Sequence, residues 1–372
     1  MGTALSGRAT VEGTARYAAR LAPGTAAGHF RDFGGLSVST VGIGTYLGQE
    51  DAATDALYVR ALTRALERGV NVIDTAVNYR HQRSERAVGE ALAAAIERGE
   101  LRRDEVVVAT KGGYVAFDGG VPADPRRWFA ATFLEPGIVE PGDLVGGTHC
   151  MTPRYLVDQL ERSRANLGLE TIDVYYVHNP ESQLEALDRP RFLDRVRTAF
   201  AVLERAADDG KIGCYGTATW NGYRVDPGTR DHLSLGELLG LARDAGGDAH
   251  RFRVIQLPYN LGMHEAFTRA TQRAGDGFVA PLEAARRLGV YVMTSVPVFQ
   301  GRLAHGLPAD VAALLPGLQT DAQRAIQFAR STPGVGTALV GMKSVAHVDE
   351  NLGVAAVPPM AWDAFRRLFS EA

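Results

Sequence analysis

Residues 106–111 read V-V-V-A-T-K, a run of apolar, mostly β-branched residues that stops on a lysine. Because it is apolar at successive rather than alternate positions, it suits a strand covered on both faces, as in a parallel sheet. Seven more short runs share this character: 41–44 (V-G-I-G), 71–74 (N-V-I-D), 172–177 (I-D-V-Y-Y-V), 212–217 (I-G-C-Y-G-T), 253–257 (R-V-I-Q-L), 290–295 (V-Y-V-M-T-S) and 337–341 (T-A-L-V-G). Amphipathic stretches at 53–68, 84–98, 153–166, 194–209, 235–245, 281–288 and 321–331 separate them. Thr152-Pro153 reads as a helix start, and Gly210 and Gly289 as left-handed helix ends. Eight strands alternating with helices fit an α/β fold of the (β/α)8 TIM-barrel type. The competing open doubly wound sheet would bring a G-x-G-x-x-G turn after its first strand, and Gly42-Ile43-Gly44 lacks that spacing.

The 372 residues exceed what a bare barrel needs, and the excess has two expected homes. Residues 1–30 read as a weakly periodic N-terminal extension, an arm of loosely determined structure. Residues 31–372 read as one barrel domain with long loops at about 112–150, 218–233 and 258–280. Each loop follows a strand, which puts it on the C-terminal face where barrel active sites form. The loops carry Tyr114, Phe117, Trp128, Phe129, Phe133, Trp220, Tyr223, Tyr259 and Phe267, the expected walls of a shared substrate pocket.

Composition narrows the chemistry. A net charge of −3 gives no reason to expect nucleic acid or an anionic membrane as partner. No apolar run approaches a bilayer span, and M-G-T-A-L-S-G-R-A-T lacks the apolar core of a secretory signal, so a cytoplasmic location is expected. Two cysteines, Cys150 and Cys214, are too few for a disulfide framework. Of 40 basic residues only Lys111, Lys211 and Lys343 are lysine, and a lysine differs from arginine in being a compact charge.

Polar residues at strand C-termini are the first functional suspects in a barrel. Here they are Asp74, Lys111 and His178, with Tyr79 five residues past Asp74. A buried Asp–Lys pair satisfies both charges, and a lysine beside a phenol favours the phenolate. A tyrosine so placed can exchange a proton with substrate, and a histidine can orient a carbonyl oxygen. No H-E-x-x-H pair, G-x-S-x-G elbow or catalytic cysteine pattern accompanies them, so no metal site is expected. A proton donor with neither nucleophile nor metal implies that a cofactor brings the other reactive species.

D-T-A-V-N-Y (Asp74 to Tyr79) followed by S-E-R-A-V-G-E (Ser84 to Glu90) resembles the aldo-keto reductases. V-V-V-A-T-K, Y-Y-V-H-N-P, D-G-K-I-G-C-Y-G, V-I-Q-L-P-Y-N, V-P-V-F-Q-G-R-L and V-G-M-K-S…D-E-N follow in that family's order, over about residues 33–353. The resemblance implies an NAD(P)-dependent oxidoreductase that interconverts an aldehyde or ketone and an alcohol. It assigns Tyr79 as general acid–base, Lys111 as its tuner, Asp74 as the lysine's partner and His178 as a guide for the substrate oxygen. It implies NADP(H) as the preferred cofactor, with NAD(H) as the alternative. The nicotinamide would lie across the mouth with Gln256 near its carboxamide, and Gly44, Thr45, Thr219, Ser295, Val296, Pro297, Val298 and Gly301 would also bind the cofactor. Gly341, Lys343, Ser344, His347, Glu350 and Asn351 would hold the adenosine end. Tyr46, Tyr114, Trp128 and Trp220 are the candidate substrate walls for a small-molecule carbonyl or alcohol.

Three positions depart from the family pattern. Ala218-Thr219 replaces the usual Ser-Asn, Ser295 stands where a tyrosine often stacks on the nicotinamide, and His347 stands where an arginine often binds the 2′-phosphate. A second reading, a nucleotide-binding regulatory or scaffold barrel with little turnover like the channel β-subunits of that family, follows from the same resemblance. The sequence sets no oligomeric state.

Overall fold

Eight parallel strands close into a barrel in chain order: β1 (Val41–Gly44), β2 (Val72–Asp74), β3 (Val107–Gly112), β4 (Ile172–His178), β5 (Ile212–Ala218), β6 (Phe252–Pro258), β7 (Tyr291–Ser295) and β8 (Thr337–Gly341). The computed structural model describes residues 4–369. Each expected strand forms within a residue or two of its sequence boundaries. The last ladder joins β8 to β1, pairing Ala338 with Val41 and Gly341 with Gly44.

Eight helices surround the barrel: α1 (Ala52–Glu67), α2 (Arg83–Glu97), α3 (Pro153–Leu167), α4 (Arg189–Asp208), α5 (Leu235–Gly246), α6 (Pro281–Arg287), α7 (Asp321–Ser331) and α8 (Val345–Asn351). Helix α4 starts five residues before the expected 194. Asp188 caps it, accepting from the Arg191 N–H at 3.0 Å, and Pro190 suits the first turn. Thr152 occupies the N-cap position of α3, but its hydroxyl lies against Cys150 Sγ at 3.3 Å and makes no cap bond.

All seven turns from a helix into the next strand carry a glycine at positive φ: Gly69, Gly99, Gly168, Gly210, Gly247, Gly289 and Gly334. These turns lie at the N-terminal base of the barrel. Inside it, Val72, Val107, Ala109, Val174, Tyr176, Val254, Met293 and Leu339 pack as one apolar cluster. The interior is therefore a filled core, and the open space lies at the other end.

The N-terminal residues are not the loose arm the sequence suggested. Residues 1–3 lie outside the described part, but Val11–Leu21 forms a helix against the barrel base. Thr10 caps it, and the buried Tyr17 hydroxyl donates toward the carbonyls of Leu66 and Val70. Arg16 and Arg20 reach Asp104 and Glu105 at 2.7–3.0 Å. Gly13 is required by close approach, since a Cβ there would sit 2.1 Å from the Asp104 carbonyl oxygen. A hairpin follows, Phe30–Phe33 with Leu36–Ser39, and Val38 and Phe33 plug the base.

Candidate active site

A cavity of about 760 Å³ opens at the C-terminal ends of the strands. Asp74 ends β2 and Lys111 lies near the end of β3, so strand pairing alone brings these charges together. The Lys111 ammonium is fully buried, and each of its three protons has an acceptor. It donates to Asp74 Oδ2 at 2.7 Å, the Thr75 carbonyl at 2.9 Å and the Tyr79 hydroxyl at 3.2 Å. The other Asp74 oxygen accepts from Gln256 Nε2 at 2.7 Å. His178 ends β4 with its ring 5.9 Å from that of Tyr79, and its Nδ1 has no partner. The four sequence candidates thus converge on one floor, with the Tyr79 hydroxyl and His178 facing the open space.

The electrostatics differ from the simple expectation that a lysine lowers its neighbour's pKa. Burial pushes the Tyr79 phenol above its usual value, and Lys111 only partly opposes that. Without ligand, Tyr79 is therefore a neutral O–H. Burial works against the charge of Lys111, but Asp74 and then Tyr79 outweigh it and hold the ammonium above its usual value. Burial, with help from Lys111 and His149, keeps the His178 imidazole well below its usual value, so it is neutral at pH 7.

Behind this floor stands a residue that sequence reasoning missed. His149 is buried; its Nε2 lies 2.6 Å from the His178 carbonyl and its Nδ1 2.7 Å from Gln183 Nε2. The amide nitrogen of Gln183 can only donate, so Nδ1 accepts and Nε2–H donates. Tyr114 meets the rings of both histidines edge-on, at 4.9 and 5.1 Å. Gly113, at φ +145°, lets the chain pass, since a Cβ there would meet His149 Nε2 and the His178 carbonyl at 3.0 Å. Asn179, also missed, lines the cavity and donates to the Tyr114 hydroxyl at 3.1 Å. It adjoins His178 in sequence, a signal that position alone could have given.

Of the expected cofactor residues, Gly44, Thr45, Thr219, Gln256, Ser295, Val296, Pro297, Val298, Gly301, Gly341, Lys343, His347, Glu350 and Asn351 all line the cavity. Ser344 does not. Its hydroxyl accepts from the His347 N–H at 3.3 Å and caps α8. Tyr58, Gln300 and His305 also line the cavity and were not anticipated. The wall after β7 is conformationally costly: Val296, Phe299 and Gln300 have φ of 52°, 49° and 54°. Asn260 Nδ2 pins the Val296 carbonyl at 3.0 Å.

Tyr46, Tyr114 and Trp220 line the cavity, whereas Trp128 does not. Trp128 packs on Phe117 and Phe133 in a small core of its own, with Phe129, Cys150 and Tyr155, beneath the 112–150 loop. A long excursion must bury apolar surface to hold its shape, and those aromatics serve that end. Tyr223, Tyr259 and Phe267 are likewise packing residues; Tyr259 stacks on Phe328 at 5.4 Å, and Phe267 meets Phe365 and Phe369. The three loops therefore share no single aromatic pocket.

The chain matches the model of the Aldo/keto reductase family over residues 40–226. It belongs to the aldo/keto reductase family. Among curated proteins it is similar to an NADH-specific methylglyoxal reductase of Escherichia coli, 26% identical over 280 residues, covering 74% of this chain and 68% of that one. Among solved structures it shares its fold with an aldo/keto reductase from Klebsiella pneumoniae in complex with NADP and acetate. The TM-score is 0.62 at 22% identity, covering 92% of this chain and 95% of that one. A glycerol dehydrogenase from Gluconobacter oxydans gives a TM-score of 0.64 at 18% identity, covering 93% and 95%. This aldo/keto reductase is thus an oxidoreductase barrel. Among its described residues no helix is long and apolar enough to cross a membrane.

Proposed function

We propose that this chain interconverts a carbonyl compound and an alcohol with NADP(H), Tyr79 acting as general acid–base. The observation that carries the reading is the continuous chain Gln256–Asp74–Lys111–Tyr79, which ends on a phenol at the floor of an open cavity. The residues present fit a dinucleotide. Lys343 stands at the cavity rim with no ion pair among the described residues, ready for a phosphate. Gly301 and Gly341 leave their stretches of wall without side chains. The Klebsiella relative was solved with NADP and the Escherichia coli relative is NADH-specific, so NADP(H) is the first choice and NAD(H) the alternative. His347 in place of an arginine narrows the difference between them.

The cofactor, when bound, supplies or accepts the hydride. In reduction, the neutral Tyr79 hydroxyl donates its proton to the carbonyl oxygen while Lys111 stabilises the phenolate left behind. Asp74 keeps Lys111 charged, and Gln256 holds Asp74. His178, neutral, can present a ring N–H to the substrate oxygen without competing for the proton. Tyr46, Tyr114, Asn179 and Trp220 form the substrate wall. In oxidation the proton moves back along the same path.

The test is absorbance at the nicotinamide band with both cofactors and a panel of aldehydes, ketones and sugars. Tyr79→Phe should lower kcat by roughly a thousandfold, the scale of a general acid, while leaving cofactor affinity unchanged. Full activity in that variant would remove Tyr79 from the mechanism. Tight cofactor binding by the wild type with no turnover of any substrate would favour a regulatory barrel instead.

A further inference from the structure

Trp220 stands in the cavity wall just past the end of β5, 43% exposed, and its backbone is fixed on both sides by charged groups. Its N–H donates to Glu181 Oε1 at 2.7 Å, and the N–H groups of Asn221 and Gly222 converge on the same oxygen at 3.1 and 3.3 Å. Its carbonyl accepts from Arg224 Nε and Nη2, both at 3.1 Å, and Arg224 is paired with Glu265 at 2.8 Å. Three consecutive N–H groups make an anion-binding concavity, and here the anion is a side chain from the loop after β4. Glu181 is only 6% exposed.

Two effects oppose one another at Glu181. Burial favours the neutral acid, while its own backbone N–H and the three converging N–H groups favour the carboxylate. The second oxygen, Oε2, has no partner, so a proton placed there would lack an acceptor. Burial prevails in part and pushes the group up to about 7. The charges that face it are few. Tyr223 and Arg224 feel it from the loop after β5, while Glu185, Arg230 and Asp231 line the cleft on its outer side. His178 and His149, at the end of β4 and behind it, are neutral.

We propose that Glu181 is a positioning residue for the substrate wall: its carboxylate fixes the Trp220 indole across the cavity mouth, and its protonation slackens that wall. The inference rests on the reading of Trp220 as a substrate wall. The substrates affected are flat and apolar, aromatic aldehydes or ketones that can lie against an indole face. A short aliphatic aldehyde, too small to reach Trp220, is indifferent to it.

The variant that isolates the effect is Glu181→Gln, which keeps the shape and fixes the neutral form. In the wild type, KM for 4-nitrobenzaldehyde should rise about fivefold from pH 8 to pH 6, with KM for propanal unchanged, because charge-assisted bonds are the stronger ones. Glu181→Gln should hold the high KM at every pH, and Trp220→Ala should match it. Stability should move the other way. A carboxyl whose value is raised on folding makes the native state bind more protons between pH 4.5 and 7, so stability falls as pH rises through that window. The Gln variant should therefore be at least as heat-stable as the wild type at pH 8, which separates a slackened wall from a damaged fold. A wild-type KM for the aromatic aldehyde that ignores pH, or a Gln variant that keeps the pH dependence, overturns the proposal. If neither aldehyde is turned over, the proposal is judged by fluorescence, while the oxidoreductase reading is judged separately by the wider panel of aldehydes, ketones and sugars. The wild-type minus Trp220→Phe difference signal should titrate near pH 7 and Glu181→Gln should not; a flat wild-type signal overturns it.

Discussion

Among the described residues, two ion pairs have both partners buried, one at each end of the barrel and both at 2.7 Å. At the base Arg103 meets Asp173; at the mouth Lys111 meets Asp74. The basal pair is closed on itself by backbone. Asp173 also accepts from the N–H groups of Ala9 and Val108, and Arg103 donates to the Val106 and Thr171 carbonyls. The mouth pair instead spends its last donor on Tyr79, which opens to the cavity. Backbone strain follows the same division. Among the described residues, every non-glycine with positive φ lies in a loop at the mouth: Arg80, His81, Gln82, Asn179, Val296, Phe299 and Gln300. The basal turns use glycine. One end is built to be stable; the other holds costly conformations that the rest of the molecule supports.

The largest test of that division is to break each pair. Lys111→Met leaves Asp74 buried with only Gln256 to compensate it, and Arg103→Met leaves Asp173 with two backbone donors. Each should lose about 3–5 kcal/mol by denaturant titration. Only Lys111→Met should also abolish turnover; an Arg103→Met enzyme that folds but is dead would break the comparison. Acid should act at both ends. Burial lowers His29, at the base, and His149, near the mouth, to about 4 from the usual 6.5. The unfolded chain then binds protons that the native state refuses, so stability is lost as pH falls from 6.5 towards 4, by about 3 kcal/mol per histidine at most. Melting curves of His29→Gln across that range should show shallower acid sensitivity than the wild type, with kcat intact.

The smallest expected effects differ in sign. Gly168→Ala, with open space around the Cβ, should cost about 1 kcal/mol for the left-handed backbone alone and leave kcat unchanged. Gln300→Gly, at the exposed end of the strained cavity wall, should gain about 0.5 kcal/mol in thermal stability while weakening cofactor affinity. If both variants move in one direction, strain is not sorted between the two ends.

The barrel strands were legible because burial on both faces leaves a continuous apolar run, and the floor of the site because Asp74, Lys111 and His178 terminate such runs. The basal hairpin was not, since F-R-D-F-G-G-L-S-V-S is short and half exposed. The helix at 11–21 was obscured for a related reason: it buries one large side chain, Tyr17, and carries a glycine that only tertiary contact explains. Trp128 was misjudged because nothing in a loop's sequence distinguishes a satellite core from a substrate wall. His149 and Glu181 take their meaning from partners 34 and 39 residues away, Gln183 and Trp220, so only folding reveals them.

The β8–β1 ladder also bears on how the chain folds. Val41 waits for Ala338, so β1, paired only with β2, stays an edge strand until nearly the whole barrel has been synthesised. The helix at 11–21, by contrast, finds Leu66, Val70, Asp104 and Glu105 within the first 105 residues. It can dock on a half-made barrel and cover its base while the far edge is still open. A deletion of that helix is thus expected to show itself first as aggregation during refolding, before any change in the finished enzyme.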